Sequence, residues 1–476
     1  MCNVCDRIII TYHNPCQDIL TTNNNVVLED KMTTWFHSAL QHVLDIWLQH
    51  LDKGKLASAL FLDLSAGFDV INHPILLDKM KEYNFADETI KWFSSYLLDR
   101  SQCVQVESSL SSTLPVPWGI PQGSILGPLL FLLFVNELPD IVKEENDDEE
   151  HDETPNKDAS DYEIVVYADD NSPMAADAHP HALQEKIQHE ADVVTKWFSR
   201  NEMVCSSEKT KLLIVGTHSN RYKKLLNDDI SLNVNVCGEI KQETVSEKLL
   251  GVIVNNTATF KHHMYGDDEN PGLIKQLSTR VGMLKRLKRF LSPAKLRMAM
   301  DGLFGSKLAY GMTVWGRVWG IPGNIEEEIR SPSLTKEDMR KLQVLQNKCL
   351  RLLTSSDYKT PTNILLQKTQ KLSVHQQVAY LSLSQVFSIH QNKSPVYHYR
   401  RLFMKTNNNT IPDTRTQNTH GINRVEFKLS LCRTNFFYQS SRLWSSLPIH
   451  IRSAKNQFMF KKKCKAWVNA MIRVKP

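Results

Sequence analysis

Leu56-Ala57-Ser58-Ala59-Leu60-Phe61-Leu62-Asp63-Leu64 is a nearly continuous apolar run of strand length with a carboxylate near its end. Such a run predicts a buried strand, and an acid delivered by a buried strand is unusual. A second case lies downstream, where Ile164-Val165-Val166-Tyr167 runs straight into Asp169-Asp170. A charge at such a place costs several kcal/mol of desolvation unless it is paired or bound to metal. Hard carboxylate oxygens from adjacent strands are what two Mg²⁺ ions require, with phosphate and water oxygens completing each shell. A strand-end or helix-capping aspartate is the structural alternative.

Working outward, Ser38–Leu51 has helical spacing of its apolar residues Leu40, Val43, Leu44, Ile46, Trp47 and Leu51. Asn72-His73-Pro74 opens one helix, with proline in its first turn, and a second starts at Asp87 with Ile90, Phe93, Tyr96 and Leu97 inward. Gln102–Val106 and Leu114–Val116 read as a hairpin, and Gly119–Ser124 as a turn into an apolar helix that runs through Leu138. Residues 140–163 hold 12 acids and two lysines and read as a looped-out insertion. A helix containing Leu183, Ile187, Val193, Val194, Trp197 and Phe198 follows. After it come strands at Leu212–Val215 and Leu249–Val254 and a hairpin turning near Cys237-Gly238. Beyond Asn270 the pattern becomes helical, from the stripe Ile274, Leu277, Val281, Leu284 and Leu287 to a helix beginning at Met339.

The 476 residues are 41% hydrophobic and 23% charged, which excludes collagenous, wholly disordered and disulfide-stapled classes and predicts two or three domains. The net charge of +5 hides an asymmetry: residues 1–270 carry 21 basic and 43 acidic side chains, and 271–476 carry 36 basic and 9 acidic. A basic half suits a polyanion, although ordinary solvated faces give the same count. Nine scattered cysteines behind no secretory leader point to a reducing compartment, cytoplasmic and nuclear. Cys2, Cys5, His13 and Cys16 match no common zinc spacing, and a chance cluster is the better reading. The longest apolar run, Ile125–Val135, is broken by Gly127 and Pro128 and is far short of the roughly 20 residues of a membrane span. Residues 1–30 read as an unstructured leader and 406–420 as a linker.

Three segments occur in order: Phe61-Leu62-Asp63-Leu64-Ser65-Ala66-Gly67-Phe68-Asp69, Gly119-Ile120-Pro121-Gln122-Gly123-Ser124, and Tyr167-Ala168-Asp169-Asp170. Together they resemble the palm motifs of reverse transcriptases, specifically those of non-LTR, LINE-like or jockey-like retrotransposons. Weaker signatures extend the resemblance over roughly residues 33–470: Leu308-Ala309-Tyr310-Gly311 with Val314-Trp315-Gly316, Leu345–Lys348, and Leu443–Pro448. The resemblance implies an α/β right-hand polymerase palm with partial fingers over 31–257, a helical thumb over 258–325 and a basic helical region over 326–476. It implies an RNA-directed DNA polymerase with two Mg²⁺ ions, replaceable by Mn²⁺, acting on an RNA template, a DNA primer and deoxynucleoside triphosphates. Asp63, Asp169 and Asp170 would be the metal ligands and Lys209 the lysine at the pyrophosphate. Phe68 would be the steric gate under the sugar, Gln122, beside a Gly123 that lets backbone come close, would contact the nascent pair or the template, and Tyr167 would belong to the same substrate site. Leu249-Leu250-Gly251-Val252 resembles the primer grip. Plainer alternatives stand beside these roles: a packed aromatic for Phe68, a helix-capping turn for Gln122, a solvated side chain for Lys209 and plain core for 249–252. The basic fingers strands that precede the first aspartate in this family are not recognisable, so the N terminus is expected to be truncated. The second functional reading is a catalytically inactive element fragment that only binds nucleic acid.

Overall fold

The computed structural model describes residues 35–64, 67–106, 109–147, 161–167, 170–227, 229–267, 269–321, 333–404 and 421–472. The leader, the Cys2–Cys16 cluster, Asp169 and the 406–420 stretch lie outside them.

The centre is an antiparallel sheet of four strands, β1 (Leu56–Leu64), β2 (Tyr162–Tyr167), β3 (Asp170–Asp177) and β4 (Cys205–Val215), in the order β2-β3-β1-β4. β1 is apolar throughout because both its faces are covered. Leu56, Leu60 and Leu62 point into one core with Leu212, Ile214 and the helix Pro180–Arg200, while Ala57 and Ala59 point into another with Met174, Leu213 and Val215. Against that second face lies α1 (Trp35–Asp52).

α1 is covered on its far side as well. Gln41, Asp45 and Gln49 form a polar stripe at four-residue spacing, all buried. Gln41 Nε2 donates to Thr313 Oγ1 at 3.0 Å, and Asp45, fully buried, accepts from Tyr397 Oη and Asn435 Nδ2, each at 2.6 Å. A buried carboxylate is tolerable only with such partners. Through α1 the sheet's core becomes continuous with the helices that follow, chiefly α2 (Leu273–Leu287), α3 (Lys336–Thr354), α4 (Val374–Asn392), α5 (Phe436–Ser446) and α6 (Gln457–Met471). Phe387 of α4 and Phe460 of α6 stack at 4.1 Å in that core.

Most predicted elements are present, including a helix at His73–Glu82 capped by the Asn72 side chain and one at Asp87–Leu97. Several boundaries differ, among them the strand expected at Leu212–Val215, which starts already at Cys205, and the helix expected from Met339, which starts at Lys336. The helix expected to run through Leu138 ends at Val135 and a new one spans Leu138–Asp147, because Pro139 offers no amide hydrogen and its ring would collide with the Val135 carbonyl. That second helix, with Tyr162 and Glu163 in β2, takes both ends of the 140–163 stretch out of the insertion, whose remainder lies outside the described residues. The predicted 102–116 hairpin is split into two ladders, Ser101–Gln102 with Leu114–Pro115 and Gln105–Val106 with Ser109–Leu110. β3 was not expected, since Pro173 interrupts its pattern. Leu249–Val254 is a hairpin, β5 (Ser246–Leu249) with β6 (Val252–Asn255), closed by Leu250 and Gly251 at positive φ.

Candidate active site

Asp63 and Asp170 meet at one end of the sheet. The β1–β3 register pairs Leu62 with Asn171, so the next step brings Asp63 opposite Asp170 on the same face. Both line a cleft of about 130 Å³ together with Lys209, Lys211 and the β5 residues Glu247, Lys248 and Leu249. On the other side of β1 the register with β4 slips between Phe61, opposite Lys211, and Asp63, opposite Ser206. One residue of β1 therefore faces an excursion of β4 that contains Lys209, closed by the Thr210 hydroxyl donating to the Ser206 carbonyl at 2.8 Å. The excursion carries the Lys209 ammonium to 3.1 Å from Asp63 Oδ2.

Among the described residues, that contact is the partner Asp63 has. Its Oδ2 is buried yet accepts no hydrogen bond of good geometry. A carboxylate oxygen with one off-axis cation and an open cleft in front of it retains coordination capacity, so the donor chemistry fits a hard cation. Among the described residues no three His, Cys, Asp or Glu side chains converge on one point, and Asp169 is not one of those residues.

Tyr167 pairs with Asp170 in the β2–β3 ladder, and burial, then the Asp170 carboxylate, raise its phenol above the ordinary range. Phe68 is half-buried and stacks on Phe131 with ring centroids 4.7 Å apart. Gln122 donates through Nε2 to Asp69 Oδ1 at 2.8 Å, which ties the 119–124 loop to the segment after β1. The same join is made by the Gly119 amide to the Ile71 carbonyl and the Ile120 amide to the Phe68 carbonyl, both at 2.8 Å, and by His73 Nε2 against the Gly119 carbonyl at 2.6 Å. Gly123, at φ +80°, sits in open space. Of the residues named from sequence, Asp63, Asp170 and Lys209 share the cleft, Tyr167 adjoins it, and Phe68, Gln122 and Gly123 belong to the loop pair beside it. Sequence reasoning missed Lys211 and Lys248. Lys211 had a usable signal, two residues from Lys209 on the same strand face.

Residues 19–254 match the family described as reverse transcriptase (RNA-dependent DNA polymerase). The chain carries a domain of the reverse transcriptase family. Its relatives include the RNA-directed DNA polymerase from mobile element jockey of Drosophila melanogaster, 23% identical over 389 residues, or 78% of this chain and 38% of the relative. The probable RNA-directed DNA polymerase from transposon BS of the same organism is 24% identical over 349 residues, or 72% of this chain and 33% of the relative. The chain thus spans under two fifths of the length of these non-LTR retrotransposon polymerases. Apo telomerase from Candida tropicalis aligns with 74% of this chain and 55% of its own at 11% identity and a TM-score of 0.38, too loose a likeness to carry an argument. Among the described residues of this reverse transcriptase domain and the helices after it, no helix is long and apolar enough to cross a membrane.

Proposed function

We propose that the chain is an RNA-directed DNA polymerase that extends a DNA primer on an RNA template. The observation that carries this reading is the juxtaposition of Asp63 and Asp170 across neighbouring strands, with Lys209 drawn to them by the β4 excursion. In this reading residues 31–257 are palm with partial fingers, 258–325 the thumb and 326–476 a basic helical region.

Asp63, Asp169 and Asp170 would hold two Mg²⁺ ions. Bound there, the ions would lower the pKa of the attacking primer hydroxyl and stabilise charge on the leaving pyrophosphate. Asp63 and Asp170 present their oxygens from strands whose backbone is fixed by the sheet, so little reorganisation is needed at the moment of reaction. Lys209 sits where it can exchange its Asp63 contact for a triphosphate oxygen and so offset charge on the departing group. Phe68, held by Phe131, would offer a flat ring to the sugar and so would leave no room for a 2′-hydroxyl. The Gln122 loop, pinned to Asp69, would bear on the nascent pair. The cations after residue 271 would grip the phosphates of the duplex without reading sequence.

The test is primer extension on a homopolymeric RNA template with Mg²⁺ or Mn²⁺. The wild-type chain should extend, and Asp63→Asn and Asp170→Asn should each lose extension by at least about a hundredfold while binding template–primer in EDTA as the wild type does. Salt-sensitive binding without extension by the wild type would instead establish the inactive nucleic-acid-binding module.

A further inference from the structure

We propose that Tyr310 is a positioning residue for the β5–β6 hairpin, holding its Leu250-Gly251 turn so that β5 presents Glu247, Lys248 and Leu249 to the cleft at the height the primer end requires. The proposal rests on the polymerase reading and deepens it.

The turn needs holding. Leu250, a bulky residue, has φ +45°, and Gly251 has φ +80°. A leucine in that region is strained and persists only where its surroundings over-determine it. Tyr310 supplies that constraint from 60 residues downstream: its hydroxyl donates to the Leu250 carbonyl at 2.7 Å. It also explains the glycine. A Cβ on Gly251 would lie 2.9 Å from Tyr310 Oη and 3.0 Å from Cε1, so the turn backbone rests directly on the phenol.

The ring itself is fixed on several sides. It stacks on Phe36 of α1 at 4.3 Å with 12° between planes, and the Tyr310 carbonyl accepts from Trp315 Nε1 at 2.9 Å. The Lys307 ammonium lies 5.8 Å from the ring centroid. Burial, and then the Tyr167 phenol, raise the Tyr310 phenol above its ordinary value, so it stays a donor throughout the neutral range. A rigid path therefore runs from α1 through Phe36 and Tyr310 to the hairpin, and from the hairpin to the wall that faces Asp63 and Asp170.

Tyr310→Phe on the full chain keeps the ring and its stacking and removes only the donor. Losing one such hydrogen bond should raise the KM for template–primer about two- to tenfold, with the KM for nucleotide and the melting temperature unchanged. Hydrogen–deuterium exchange should quicken in peptides covering 246–255 and stay as in the wild type over β1. Tyr310→Ala, which also takes the ring away from Phe36, should raise the template–primer KM further and lower the melting temperature, and Phe should restore the melting temperature but only part of the KM. An unchanged primer KM with unchanged hairpin exchange in Tyr310→Phe overturns the proposal, and so does a rise in both KM terms together with a clear fall in melting temperature in that variant, which marks a residue that only packs. Were the wild-type chain to extend no primer, the polymerase reading would fail, and the exchange arm alone would decide whether Tyr310 holds the hairpin.

Discussion

Gly119→Ala perturbs the join between the two loops beside the cleft, and its cost can be worked from the backbone. Gly119 has φ +85°, and a Cβ there would stand 2.8 Å from the Asp69 carbonyl oxygen and 2.9 Å from its Cα. The conformation alone costs an alanine about 1–3 kcal/mol. The approach is to backbone, which cannot swing aside as a long side chain would, so the 119–124 loop must lift from residues 68–73. Lifting strains the Gly119–Ile71, Ile120–Phe68 and His73–Gly119 hydrogen bonds, each worth about 1 kcal/mol net. If all three are lost, a total of about 4–6 kcal/mol follows. Gly123→Ala is the internal control, because φ is +80° there but a Cβ meets nothing within 4 Å, so that variant carries the conformational cost alone. The assay is denaturant unfolding of both variants, with the fluorescence of Trp118, bridged to Asn72 beside the loop, as a local probe. Extension should fall in Gly119→Ala through displacement of Gln122 and Phe68. If Gly119→Ala is no less stable than Gly123→Ala, the close approach to Asp69 is not what holds the loop, and the reasoning fails.

Phe68→Ala should raise ribonucleotide relative to deoxynucleotide incorporation by about tenfold or more, measured as a ratio of kcat/KM values, and an unchanged ratio returns Phe68 to a packing role beside Phe131. Asp338, at the start of α3, tests the join between the sheet end and the helices: burial works to raise its carboxyl, but Lys261, Tyr265 and Thr335 outweigh burial and hold it down to about 2. A depressed carboxylate stabilises the fold above its unfolded pKa of about 4, and that contribution drains away as pH falls toward 2. Asp338→Asn should therefore cost about 2 kcal/mol in unfolding free energy at pH 7, with the gap to wild type closing as pH falls from about 4 to about 2. A gap that does not change with pH would show that the ion pair contributes nothing.

Where the local pattern and the burial agree, the fold is legible from sequence. The apolar run of β1 reads as a strand covered on both faces, and Asn72-His73-Pro74 reads as a capped helix start, because the forces responsible act within a few residues. The failures come from long-range packing. Gln41, Asp45 and Gln49 have the spacing of a solvated helix face, and only the arrival of residues 313, 397 and 435 makes that face an interior one. Pro173 forbids one amide bond, yet β3 still forms between β2 and β1, since the remaining ladder and the Asp170–Asp177 burial outweigh one missing donor. The site divides in the same way. Asp63 and Asp170 are announced by acids at the ends of apolar strands, whereas the excursion that brings Lys209 to Asp63 is a property of strand pairing, and no single strand records it.

Charge behaves likewise. The acidic excess of residues 1–270 suggests metal binding, but most of it lies far from the cleft in sequence, and the acids at the end of the 140–163 stretch are spent on structure. Asp161 takes Lys55 at 2.5 Å and Lys186 at 3.2 Å, and Glu163 takes His42 of α1 at 2.8 Å. These pairs fasten the start of β2 to the sheet and to α1. Because β2 ends at Tyr167, one short strand away, they also fix where the strand that pairs with Asp170 ends. Asp161 and Glu163 therefore act on the site through strand placement, while the proposed chemistry asks only for the few carboxylates that the strand ends deliver.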